Sequence, residues 1–231
     1  MEPILIILCV VAGGLLASLG AHLLPVGGAP AAMGTATGIA TGTVQIMLGA
    51  AMTGLFTAAS AATITDSLLL VALSGAIGAT VMMCVVMLMA NILYTFGCGI
   101  VPVSGRVDVD PLTKEPQAPY KTPQTDGHGV PNCVYVSGML GGFVGGFGGA
   151  LMYFALLNYA DFSAGTAAIG ALSIFVPNAI IAAYNIRGTI EGFHDPKFKR
   201  LPFSLVTSLV VSLLCGIMAV IASYLAVGGT M

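Results

Sequence analysis

Every lysine and arginine of this chain falls in one of two short windows: Arg106, Lys114 and Lys121 in the first, Arg187, Lys197, Lys199 and Arg200 in the second. Of the nine acids, only Glu2, Asp66 and Asp161 lie outside the stretches 98–133 and 186–202 that hold these windows. The intervening stretches are long and apolar. A soluble domain carries roughly 25% charged residues, whereas this chain of 231 residues has 7%, with 57% hydrophobic residues and a mean hydropathy of +1.00. So few charges cannot solvate the surface of a soluble protein of this size, and the chain reads as a multi-pass membrane protein. A net charge of -2 with no basic face argues against a nucleic-acid partner.

A helix needs about 20 apolar residues to cross the hydrocarbon core. Six stretches qualify, at approximately 3–24, 39–62, 67–93, 134–158, 164–185 and 203–227. The expected fold is all-α: six transmembrane helices forming one integral membrane domain over 1–231. The first stretch begins Met1-Glu2-Pro3 without a basic leader and is too long for a signal-peptide core, so it reads as a retained span. Asp66 and Ser163 stand where helix N-caps belong. Short connections near 63–66 and 159–163 predict tight antiparallel hairpins. The stretch 98–133, with Pro102, Pro111, Pro116, Pro119 and Pro123, reads as the one sizeable polar loop, in extended form.

Both basic windows follow odd-numbered spans and so share one side of the membrane. Loops rich in Lys and Arg stay cytoplasmic, which puts 98–133 and 186–202 inside and both termini outside. Halves 1–93 and 134–227 then have opposite topology, the layout of a 3+3 inverted repeat. In the first half Gly34, Gly38 and Gly42 recur every fourth residue; in the second Gly138, Gly142 and Gly146 do, with Gly141, Gly145 and Gly149 one position behind. That spacing lets helix backbones approach closely, within the chain or between subunits. The glycine face of the fourth span is too wide for one neighbour, which raises the second option.

With this orientation, amides and hydroxyls gather toward the cytoplasmic half. His22, Gln45, Asn91, Tyr94, Asn178, Tyr184 and Asn185 all lie there or near mid-depth. Pro177 cannot donate to Ser173, leaving a carbonyl that Asn178 is placed to compensate. Two readings stand: a proline kink with Asn178 bonding a neighbouring helix, or a cytoplasm-facing polar cavity lined by Gln45, Asn91 and Asn178. No Asp, Glu, Lys or Arg sits at mid-membrane depth, where ion-coupling machines usually carry one. Cys98, His128 and Cys133 match no zinc spacing, and no metal site or catalytic group is assigned.

The segment VGGAPAAMGTATGIATGTVQIMLGAAMTG at 26–54 closely resembles the D subunits of the tetrahydromethanopterin S-methyltransferase complexes of methanogenic archaea. So do NILYTFGCGIVPVSGRVDVDP at 91–111, DGHGVPNCVYVSGMLGGFVGGFGGALMY at 126–153 and FVPNAIIAAYNIRGTIEGFHDPKFKR at 175–200. The resemblance implies a multi-pass protein of the cell membrane, partnered by the membrane-embedded C and E subunits and the cobamide-carrying A subunit. Complexes of this kind move a methyl group from methyl-tetrahydromethanopterin to coenzyme M through that cobamide and couple the transfer to Na+ export. The cobamide and the ion-coupling acid are placed on other subunits, so this chain alone is expected to bind no cofactor and catalyse nothing. A shared cytoplasm-facing site would admit coenzyme M, whose sulfonate suits an Arg fork, and Arg187 is the best-placed arginine. The competing expectation is a self-sufficient small transporter or channel built on an inverted repeat.

Overall fold

The structure, a computed structural model, describes residues 2–24, 38–105, 107–124, 127–186 and 199–228. Among the described residues, six α-helices carry the fold: α1 (Pro3–Leu23), α2 (Gly38–Ala62), α3 (Leu68–Ile92), α4 (Asn132–Asn158), α5 (Ala164–Ile186) and α6 (Leu201–Gly228). Each starts and ends within two residues of the apolar stretch that predicts it. Five are long and apolar enough to cross a bilayer; the described apolar part of α2, Met47–Ala62, is shorter. This is a membrane protein. Pro3 opens α1 at the first helical position, where its missing N–H costs nothing. Ser163 caps α5 by accepting the Thr166 N–H at 3.3 Å. The α3 cap falls on Ser67 rather than Asp66 and makes no side-chain bond.

Helix α4 is the axis of the bundle and packs against α1, α2, α3 and α5. Its glycines explain how one helix serves so many neighbours. Gly141 and Gly148 face α1, where an added Cβ would meet Gly20 O at 2.7 Å and Gly13 O at 2.5 Å. Gly142 and Gly146 face α3, against Met83 and Gly75. Gly145 and Gly149 lie under the Phe175 ring of α5. Three columns of glycine thus meet three helices of the same chain, and the wide face needs no second copy or partner. Gly138 is buried in the same helix. Gly38 and Gly42 lie in the first turns of α2, their surroundings outside the described residues, as is Gly34 altogether.

The two halves repeat one packing scheme. Helix α3 lies against α4 and α2, and α6 lies against α1 and α5. The pairs α1–α5 and α2–α4 exchange likewise, while α1–α4 and α2–α5 map onto themselves. This is the neighbour pattern that a 3+3 inverted repeat generates. The symmetry is uneven: α2 and α3 pack along their lengths, whereas their counterparts α5 and α6 touch lightly. Between α2 and α3, Thr57 Oγ1 donates to Ser74 O at 2.9 Å and Ser74 Oγ returns a bond to Thr57 O at 3.0 Å.

The stretch between α3 and α4 is not an extended loop. Strands β1 (Val103–Ser104) and β2 (Gly127–His128) pair antiparallel, with Val103 opposite His128. Between them the chain turns back on itself: Asp110 N–H donates to Glu115 O at 2.9 Å and Gln117 N–H to Asp108 O at 2.8 Å. Gly129, at φ +67, supplies the left-handed residue that returns the chain to α4. The small folded cap sits at the bundle end where α5 finishes and α6 begins, the loop end.

Candidate functional site

Two polar groups stand at or near the loop end. The first joins the cap to α3 and α4. Asn91 clamps the cap's main chain, its Nδ2 donating to Val130 O at 2.8 Å and its Oδ1 accepting the Val130 N–H at 2.8 Å. Asp110, almost fully buried, accepts the N–H groups of Leu112 and Thr113 at 2.8 and 2.9 Å. Burial pushes its carboxyl up, but bonds from Thr113, Leu112 and the Asn132 side chain outweigh that and hold it below the usual carboxylate range. A cleft of about 460 Å³ opens beside these groups, lined by Asn91, Asp110, Glu115, Gln117, Tyr120 and Asn132 among others. His128, in β2, is buried, and neither ring nitrogen has a hydrogen-bond partner among the described residues.

The second group runs along the seam where α6 meets α1 and α5. His22 is fully buried. Its Nδ1 stands 2.7 Å from Ser18 O, and a carbonyl only accepts, so Nδ1 carries the proton. The neutral ring then offers Nε2 as acceptor to Asn185 Nδ2 at 2.8 Å. One turn back along α1, Ser18 Oγ meets Ser204 Oγ of α6 at 3.0 Å. Deeper in the bundle, Ser212 Oγ donates to Asn178 Oδ1 at 3.1 Å, and Asn178 Nδ2 donates to Ile174 O at 2.9 Å. Gly14 makes room here, since a Cβ on it would collide with Ser212 Oγ.

Of the residues singled out in the sequence, Asn91 and Asn178 therefore belong to different groups: Asn91 holds the cap, and Asn178 ties α5 to α6. Asn178 spends its amide on Ile174 and Ser212 rather than on the carbonyl freed by Pro177. Gln45 lies within α2 with its side chain outside the described residues, and Arg187 lies outside them altogether. The sequence reading passes over the serines of α6. Their signal was present, since Ser204, Ser208 and Ser212 recur every four residues in a largely apolar helix.

Comparison with known proteins fits this arrangement. The family of tetrahydromethanopterin S-methyltransferase D subunits matches residues 3–212. The D subunit of Methanothermobacter marburgensis is 49% identical over 231 residues, covering 97% of this chain and 98% of its own. The chain belongs to this family. The D subunit of Methanosarcina barkeri is 48% identical, covering 91% of this chain and 90% of its own, and that of Methanopyrus kandleri is 47% identical, covering 94% and 95%. The region matched by the family includes the cap, the clamp at Asn91 and most of the α6 seam, so the match spans the parts that hold the polar groups.

Proposed function

We propose that the chain is a cell-membrane component of a complex that transfers a methyl group from methyl-tetrahydromethanopterin to coenzyme M and couples the transfer to Na+ export. Near-full-length identity to the D subunits carries this reading. The cobamide sits on the A subunit, and the membrane-embedded C and E subunits are the lateral partners. The chain contributes no catalytic group of its own. Its part is to wall a cytoplasm-facing site shared with its sisters. The gathering of neutral amides and hydroxyls at the loop end supports that role, with Lys and Arg setting that end in the cytoplasm. Such groups can orient and partly desolvate an anionic thiol substrate without supplying a buried charge. Arg187 follows α5 directly in sequence and is the candidate for the sulfonate of coenzyme M.

Purification in mild detergent separates this reading from that of a lone transporter. A tag on this chain should bring down a large corrinoid-coloured complex with methyltransferase activity. A colourless homo-oligomer would sink the proposal. Within the complex, Arg187→Ala should raise the apparent KM for coenzyme M about ten-fold or more, the loss of one charge-assisted pair of hydrogen bonds. An unchanged KM removes Arg187 from the site while leaving membership of the complex intact.

A further inference from the structure

The buried face of α6 is inverted relative to an ordinary membrane helix. Between Leu201 and Ala226 its buried residues are Ser204, Ser208, Ser212, Gly216 and Ser223, and none of them is a large apolar residue. Its large apolar side chains, Phe203, Val206, Val210, Leu214 and Met218 among them, are exposed on the outer face. The equivalent helix of the first half, α3, occupies the same niche against α4 and α2. There the buried residues are Val71, Ala72, Gly75, Ala76, Gly78, Ala79, Met83 and Met87. The niche therefore accepts an apolar face, and close packing does not call for serine.

Ser208 is the second and independent observation. It is fully buried on the face turned to α1 and α5, between Ser204 and Ser212, and its Oγ has no hydrogen-bond partner among the described residues. Exposed Thr207 beside it donates to Phe203 O at 2.9 Å. Inside a bilayer a buried hydroxyl must find a partner in protein or in bound water. Its helix neighbours are committed, Ser204 to Ser18 and Ser212 to Asn178.

We propose that the α6 seam opens to water from the cytoplasmic end, forming an intrachain access path that runs past His22, Ser18 and Ser204, seats water at Ser208, and stops at Ser212 and Asn178. In the conformation described, these hydroxyls and the His22 ring are buried, so the path is closed. Opening it exchanges hydroxyl–hydroxyl bonds for bonds to water, which leaves no polar group unsatisfied. The outer half of the seam cannot open in this way. There α1 presents Val10 and Ile6, both fully buried, and Gly216 lies with its Cβ position 3.2 Å from the Ile7 backbone. The path is separate from the site shared with sister subunits; it rests on the cytoplasmic orientation of the loop end and not on the methyltransferase reading.

Silver-ion accessibility of single cysteines in the intact complex tests this. A thiol reacts as thiolate, which forms where water reaches it. Ser208→Cys, Ser212→Cys, Val210→Cys and Ser223→Cys are compared in membrane vesicles of both orientations, in chloride-free buffer, with peptide mass spectrometry separating each site from the native cysteines. Position 208 should be blocked from the cytoplasmic side at least ten-fold faster than positions 210 and 223, and 212 at a rate between. Position 208 blocked no faster than 210 overturns the proposal. Blocking of 208 chiefly from the outside overturns the cytoplasmic opening. Should Ser208→Cys fail to assemble, Ser212→Cys carries the same comparison, since it lies on the same path below the apolar seal.

Discussion

At the scale of single residues, Asn91 shows how one amide can fix a whole segment. Its two bonds to Val130 satisfy a main-chain donor and acceptor where the cap meets the bundle. Replacing it with an apolar side chain strands both groups, at about 1–3 kcal/mol each. Asn91→Leu should therefore loosen the cap by about 2–6 kcal/mol without unfolding the helices. Asn91→Asp keeps the acceptor for the Val130 N–H but loses the donor to Val130 O, so its effect should fall between. Hydrogen exchange of the 127–131 amides in the intact complex measures this, and protection unchanged in Asn91→Leu would show that the clamp holds nothing. The sequence makes Asn91 conspicuous, as an amide closing an apolar span. Its partner was not legible, because Val130 is 39 positions away and offers only main chain, which every residue has.

At the scale of helices, the apolar runs gave away nearly everything about extent and little about neighbours. Length and hydropathy suffice to place a span in lipid, where backbone bonds must close within the helix. Which helices touch depends on where small residues let backbones approach, and glycine at four-residue spacing does not announce its partner. The sequence-level suspicion that the α4 glycines contact other subunits fails for this reason: α1, α3 and α5 take all three columns. The serine ladder of α6 was equally readable as spacing, yet only burial distinguishes an inward polar face from hydroxyls bonded back to their own helix. Two glycines with opposite surroundings test the packing. A Cβ on Gly20 would stand 2.7 Å from both Gly141 O and Gly145 N, with no flexible atom to yield. Gly20→Ala should cost about 1–3 kcal/mol or more through separation of α1 from α4. Nothing lies within 4 Å of a Cβ on Gly49, so Gly49→Ala should stabilise α2 by about 0.5–1 kcal/mol. Thermal midpoints of the purified complexes should move in opposite directions; a shared direction would contradict the packing described for α1 and α4.

At the scale of the whole molecule, charge and symmetry constrain each other. Three helices per half mean that the halves enter the membrane from opposite sides, so the cap and the α5–α6 connection lie at one end and both termini at the other. The described basic residues Lys114, Lys121, Lys199 and Arg200 stand at that single end, and the proposed orientation, which follows the positive-inside rule, turns it to the cytoplasm. The same end holds the clamp, the cleft and the mouth of the α6 seam, so orientation decides which compartment each of them can exchange with. Cys98 is exposed in the cap and serves as a native probe. A membrane-impermeant thiol reagent should label it in inside-out vesicles and leave it unlabelled in right-side-out ones. A cysteine introduced at Glu2, tied to the far end of the bundle through its N–H bond to Tyr159 O at 3.1 Å, should show the reverse. Sister subunits could shield one position from reagent, but they cannot exchange the two compartments. Labelling of Cys98 from outside, or of Glu2→Cys from inside, would invert the molecule. It would put the amides and hydroxyls of the loop end outside the cell and overturn the proposed cytoplasm-facing site.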